Sequence, residues 1–304
     1  MKNFQRLALC AIVAGSIVSC QKEEVSEEVA QPEVQQGVST DILEKVRDLY
    51  MNPSDVEPYT FVDFEGIEHK GYMISGDQFM TEEQMDEMLA LDAQSSEDGL
   101  GAKQYRTRNL VRVNSSRGRT IRVVGWIGGR ATAPDDNNNT VTALTENMRE
   151  GLQRAVNNYN RVGLSLRFEL IFTGNASETN NADMIVYNIP AAGAGGSAGF
   201  PSGGDPFRWI RINSPLGRSN ADINEHVITH EMGHALGFRH TDYFSRQSCG
   251  QNSNEGSGGV GAIRIPGTPA GFDPTSIMLS CFNSGVDGEF NSNDVTALRA
   301  LYPR

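Results

Sequence analysis

The sequence of 304 residues predicts an α+β fold over residues 106–304, preceded by a smaller acidic region. Three observations carry this expectation. Leu164, Leu166, Phe168, Leu170 and Phe172 sit at alternate positions, the period of a strand with one buried face. Met148, Leu152, Ala155, Val156 and Tyr159 recur at helical spacing and mark one face of a long helix. Three of the chain's five histidines fall within the eleven residues His230–His240.

The elements follow in chain order. Lys2 and Arg6 precede an apolar run from Leu7 to Val18, too short to span a membrane as a helix. The run ends in Ile17-Val18-Ser19-Cys20, which resembles a bacterial lipobox. That resemblance implies a signal peptide over 1–19 and a lipid on Cys20. The protein would then be exported and held to the outer membrane. Cys10 follows only three apolar residues and makes a poor alternative. Gln21-Lys22-Glu23-Glu24 resembles the acidic signal that sends some lipoproteins to the cell surface. Residues 20–40, polar and rich in Glu and Gln, read as a disordered tether.

Residues 41–105 read as an acidic N-terminal region that is partly ordered. Leu43, Val46, Leu49 and Tyr50 share a helical face, and Thr81 with Gln84 forms a capping-box pattern ahead of Met85, Met88 and Leu89. Ala93–Tyr105 is small and polar and reads as a boundary. Beyond it, Ile121–Ile127, Met184–Ile189 and Phe207–Ile212 are strand candidates, and the glycine-rich 191–204 reads as a flexible loop. A helix is expected to start near Ser219, with Asp222 supporting its cap, and a last helix to run from Asp294 to Tyr302.

The chemistry is carried by His230-Glu231-Met232-Gly233-His234-Ala235-Leu236-Gly237-Phe238-Arg239-His240. Residues four apart on a helix lie about 40° apart around the axis and about 6 Å along it. His230 and His234 can therefore grip one zinc ion. Gly237 can adopt positive φ, so the chain can turn there and deliver His240 as third ligand. A fourth position left for water marks a catalytic site, and Glu231 stands beside the first ligand to take that water's proton. His226 extends the stripe, but about 12 Å of helix separates it from His234. It reads as a surface or packing residue.

This run, with Ser276-Ile277-Met278 placed 38 positions after His240, resembles the metzincin clan of zinc endopeptidases. More narrowly, His230–Asp242, Ser248-Cys249-Gly250, Ile265-Pro266-Gly267-Thr268-Pro269 and Asp294–Tyr302 resemble the bacterial HEIGH-type peptidases of family M57. The resemblance is specific over about 220–304 and weaker over 105–219. Two positions depart from the patterns. Met232 stands where the family has Ile, and Ser280 stands where some metzincins place a metal-reaching Tyr. The resemblance implies a twisted, mostly parallel sheet with an antiparallel edge strand, a long helix, a zinc helix and a loop-rich lower subdomain with Met278 in a turn beneath the metal. It also implies that an extended peptide adds as a further strand beside 207–213, with 191–204 rimming the cleft. Hydrolysis of internal bonds in a protein or peptide would follow.

Cys249 and Cys281 flank the same floor. An exported setting favours a disulfide between them, with two free thiols or thiolate ligands as the competing reading. Residues 41–105 would serve as a prosegment. No cysteine lies between 21 and 248, so a cysteine switch is excluded. Ile74-Ser75-Gly76-Asp77 loosely resembles the aspartate switch of astacin-like zymogens. Asp77 would then fill the fourth zinc position. A plain Gly-Asp turn ahead of a helix explains the same residues.

Charge adds exclusions. Residues 21–105 hold 5 basic and 21 acidic residues, whereas 106–304 hold 19 and 17, so the catalytic part is near neutral. Nothing matches a basic nucleic-acid footprint. Oligomeric state is not legible. Asp135-Asp136-Asn137 and Asp287-Gly288-Glu289 offer oxygens for calcium but are explained as turns. A binding or adhesion lipoprotein with a structural zinc is the alternative to an enzyme, and the intact Glu231 favours the enzyme.

Overall fold

The side-chain patterns become elements wherever a cap or a glycine ends them. The computed structural model describes residues 37–92, 104–114, 116–129, 140–251, 262–268 and 272–304. The leader, Cys10, Cys20, most of the tether and Asp135-Asp136-Asn137 lie outside the described residues. Among the described residues no helix is long and apolar enough to cross a membrane.

Helix α1 (Thr40–Asp48) begins at Ser39, whose side chain accepts from the Ile42 amide, and buries Ile42, Leu43 and Val46. Strands β1 (Val56–Val62), β2 (Glu68–Ile74) and β3 (Gln78–Met80) follow. Helix α2 (Glu82–Asp92) is entered through the expected capping box. The Gln84 amide donates to Thr81 Oγ1, and the Thr81 amide to Gln84 Oε1. Then come β4 (Tyr105–Arg106), β5 (Arg119–Trp126) and α3 (Glu146–Val162). Helix α3 is capped by Thr145 and closed by Gly163 in the left-handed region.

Strands β6 (Leu166–Thr173), β7 (Met184–Ile189), β8 (Gly196–Gly199) and β9 (Trp209–Asn213) lead to α4 (Ala221–Ala235). The cap of α4 is Asn220, one residue beyond the expected start at Ser219. Its side chain accepts from Ile223 N. Short strands β10 (Phe238–Arg239) and β11 (Ile263–Arg264) flank β4 in a small second sheet. Helix α5 (Ser292–Leu301) closes the chain with a capping box of Asn291 and Asp294.

The main sheet has the order β1-β2-β3-β8-β9-β7-β5-β6. Strands β6, β5, β7 and β9 run parallel, and β8 is antiparallel to β9. This is the expected mixed sheet. On one face α3 and α4 pack against Ile121, Val123, Val186, Ile210 and Ile212. On the other, Val124, Trp126, Tyr187 and Trp209 meet Phe61, Phe64, Met73 and Phe79 from β1 to β3.

Two expectations are corrected here. The glycine-rich 191–204 is not wholly a loop, because 196–199 form buried strand β8. Its glycines answer close approach: a Cβ on Gly199 would stand 2.7 Å from the Phe207 ring and 2.8 Å from the Phe79 carbonyl oxygen. Strand 209–213 is likewise not an edge. Strand β8 covers it, and β3 pairs parallel with β8 at Ala198 and Gly199.

Candidate active site

Helix α4 places His230 and His234 one turn apart, both buried. Its C-cap is Leu236, and Gly237 follows at φ 102, which a side chain would resist. The turn returns the chain through β10, and His240 faces the other two. His240 Nε2 lies 3.2 Å from His234 Nε2 and 3.3 Å from His230 Nε2. The outer nitrogens are engaged: His230 Nδ1 donates to the Ile277 carbonyl and His234 Nδ1 to that of Phe238, each at 2.8 Å. The Gln78 amide lies 2.9 Å from His240 Nδ1.

With their Nδ1 protons committed, the His230 and His234 Nε2 atoms carry bare lone pairs turned toward one centre, which a cation satisfies. Tetrahedral zinc with nitrogens at about 2.0–2.1 Å sets them about 3.3 Å apart. The observed separations fit. Burial pushes His234 down to about 4, which keeps it neutral as a ligand must be.

Asp77 completes the group. Its Oδ2 stands 2.9 Å from His240 Nε2, 3.5 Å from His230 Nε2 and 3.9 Å from His234 Nε2. The four ligand atoms all lie within 4.8 Å of one another. Ser75 and Gly76, at φ 57 and 82, form the tight turn between β2 and β3 that aims Asp77 inward. Arg246 donates to Ser75 Oγ at 2.8 Å, and the Asp77 carbonyl accepts from Ala198 N at 2.9 Å. Burial works to raise the Asp77 carboxyl, but the three histidines outweigh it and hold it well below the usual range.

Glu231 is buried, and its Oε2 has no hydrogen-bond partner among the described residues. Burial, and then the Asp77 charge, hold its carboxyl well above the usual range, while Arg211 opposes them. A Cβ on Gly196 would lie 2.8 Å from Glu231 Cγ and 2.9 Å from the Arg211 carbonyl oxygen. Gly196→Ala is therefore expected to displace Glu231 and lower turnover on the order of 10²-fold while bound metal is retained. Metal analysis beside peptide hydrolysis reads both. A cavity of about 210 Å³ opens beside Glu231 and His230, walled by Gly195, Asp77 and Phe282. His226 lines it too, packed against Phe282 at 5.2 Å between ring centroids and outside the ligand group.

The floor is built from 276–281. Met278 is buried beneath α4, where a Cβ on Gly233 would meet its Sδ at 2.5 Å. Its carbonyl accepts from Thr241 N at 2.8 Å, next to the third histidine, while Ile277 O holds the first. Asp294 ties this turn to α5, accepting from Ser276 Oγ, Ile277 N, Asn291 N and Gln104 Nε2. Asp242 accepts from Ser280 and Ser248, and the Cys249–Cys281 disulfide joins the same two segments. Met278→Ala should cost about 2–5 kcal/mol of stability through the cavity it leaves. Denaturant unfolding measures this, and unchanged stability would exclude a supporting role for the side chain.

Sequence reading assigned no role to Gln78, Asp242, Gly196 or Arg211, although Asp242 ends the run that carries the family resemblance and Gly196 lies in the glycine-rich stretch expected to rim the cleft. Asp287 accepts from Glu289 N in a local turn, and among the described residues no second cluster of three His, Cys, Asp or Glu ligand atoms is present.

A family model described as a dual-action HEIGH metallo-peptidase matches residues 72–302. No curated protein matches the chain. Among solved structures, two of myroilysin are similar, at 13% and 15% identity and TM-score 0.36 each. They cover 64% and 62% of this chain and 89% and 81% of theirs. A GM1-bound ECX AB5 holotoxin is also similar, at 16% identity and TM-score 0.29, covering 65% of this chain and 78% of its own. Likenesses at these scores carry no argument. The family match does, because it spans most of the chain and contains the whole histidine site: the chain belongs to the HEIGH metallopeptidases and is a metalloprotease.

Proposed function

We propose that the chain is a zinc endopeptidase, made latent, that cuts internal bonds of extended protein substrates. The observation that carries this is the set of three histidine nitrogens at zinc spacing, with Glu231 beside them and Asp77 in the fourth ligand place. His230, His234 and His240 would hold zinc, which would supply a Lewis acid for the scissile carbonyl and lower the pKa of the attacking water. Glu231 would accept a proton from the attacking water and pass it to the leaving amine. Gln78 and the Ile277 and Phe238 carbonyls fix the ligand imidazoles. Gly196 of β8 lines the cavity beside Glu231, where an extended peptide would lie once the Ser75–Asp77 turn moves. Asp77 keeps water from the fourth position until it moves.

Residues 1–19 would direct export, Cys20 would carry the lipid anchor, and the enzyme would stand on the outer membrane. Metabolic labelling with a radioactive fatty acid tests this: Cys20→Ala should abolish the label.

Incubation of the Asp77→Ala chain with unfolded casein tests the activity. Internal fragments that disappear with a chelator and return with zinc are expected. Release of terminal residues alone would exclude an endopeptidase. Stoichiometric zinc without cleavage would favour an adhesion lipoprotein.

A further inference from the structure

The acidic N-terminal region is built into the catalytic sheet, and its contacts differ in kind from those of Asp77. Arg211 on β9 is 1% exposed. Its guanidinium carbon lies 4.1 Å from the Phe61 ring centroid, 4.9 Å from that of Tyr59 and 5.9 Å from that of Phe79. Its three side-chain nitrogens have no hydrogen-bond partner among the described residues. The aromatic faces of β1 and β3 are therefore what compensates this buried charge. Arg239, 2% exposed, donates to the carbonyls of Leu49 and Tyr50, which follow α1. Arg246 reaches Asp55, and Arg208 pairs with Glu65. Four arginines of the catalytic part thus end on the N-terminal region, two of them on its carboxylates Asp55 and Glu65.

The apolar contacts agree. Trp126, Tyr187 and Trp209 share one buried cluster with Phe61, Phe64 and Met73, and Phe200 sits in another with Val46, Met80 and Met85. A catalytic part stripped of residues 37–92 would present two tryptophans, Phe200 and two buried arginines to water at once. Such a surface does not stay soluble as a monomer.

The inhibitory contact is small and local. Asp77 enters from a three-residue turn, Ser75–Asp77, that lies on the wall of the cavity beside Glu231. Strand β3 pairs with β8 at Ala198 and Gly199, whereas buried Gly196 lines the cavity together with the Ser75–Asp77 turn, so moving the turn uncovers Gly196 while β3 keeps its pairing.

We infer that residues 37–92 remain a folded part of the active enzyme, and that the metal site opens by displacement of the Ser75–Asp77 turn alone. The inference rests on the reading of Asp77 as the latency ligand. The N-terminal region is then a wall of the enzyme that carries a gate, and cutting the chain behind it does not shed it.

The test uses the full chain with a site for a specific protease placed between residues 92 and 104, in wild-type and Asp77→Ala forms. After cutting, both pieces should co-elute in gel filtration and part only in denaturant, and casein cleavage by the Asp77→Ala form should persist unchanged. Separation of the N-terminal piece from a catalytic piece that stays soluble and active overturns the inference. Co-elution without any gain of activity in the Asp77→Ala form leaves the association standing and removes the latency reading instead. Amide exchange on the uncut chains gives a second measurement. Asp77→Ala should speed exchange at 75–78 and leave 56–62 as protected as in the wild type. Loss of protection throughout 56–62 would overturn a gate confined to the turn.

Discussion

Glu231→Gln, made in the Asp77→Ala chain, is expected to keep its zinc and lose turnover by about 10²- to 10⁴-fold, the usual range for a lost general base. The amide preserves shape, so the close fit against Gly196 survives, and the three histidines keep their partners at Ile277, Phe238 and Gln78. What disappears is the ability to accept a proton. Metal analysis together with peptide hydrolysis separates the outcomes. A variant with full zinc and full activity would remove Glu231 from the reaction. A variant that loses zinc as well would show that its buried carboxylate supports the ligand cluster electrostatically, with no special place in proton transfer.

Helix α4, the turn at Gly237 and the convergence of the three histidines were legible because they depend on residues at most ten apart. Backbone geometry turns that spacing into a site. Strands β5, β6 and β7 were legible for the same reason: β6 shows local alternation, and β5 and β7 contain short apolar runs. Strands β1 to β3 were not. Pro58 interrupts β1, Gly71 interrupts β2, and the value of Phe61 and Phe79 depends on Arg211, more than 130 residues away. Strand β8 was hidden by its own glycines, which read as freedom in a sequence but answer steric demand from Glu231 and Phe207 in the fold. Arg211 shows the limit most clearly. A strand arginine reads as a solvent-facing residue, whereas here the aromatic rings of the distant N-terminal region cover it and buried Glu231 lies within its electrostatic reach. Asp77 lies between these cases. Its short motif was visible, but a Gly-Asp turn has the same letters, and what distinguishes them is a 2.9 Å approach to a histidine 163 positions later.

Asp77→Ala is expected to raise the activity of the full chain on the order of 100-fold, the gain when an open state held at about 1% becomes the whole population. On the proposed reading the carboxylate would compete with water for one ligand place and, being tethered beside it, would do so at high effective concentration. Asp77→Asn should fall between wild type and Asp77→Ala, because the amide keeps the reach but loses the charge that the histidine cluster attracts. Mild acid is not expected to substitute for the mutation. The histidines depress the Asp77 carboxyl well below the usual carboxylate range, so the charged form persists through mild acid, and the stability it contributes is complete above the unfolded carboxyl's ordinary pKa and declines below it, down through the depressed value. Wild-type chain assayed from neutral pH down to about pH 5 should stay latent throughout, and activity appearing in that window would locate the trigger elsewhere than in Asp77 protonation. Opening therefore requires a force on the turn itself. Arg246, which grips Ser75 Oγ and pairs with Asp55, is where such a force is resisted. If Arg246→Gln shows partial activity in the wild-type Asp77 background, the latch extends to that guanidinium. Full latency in Arg246→Gln would confine it to the carboxylate and the three histidines.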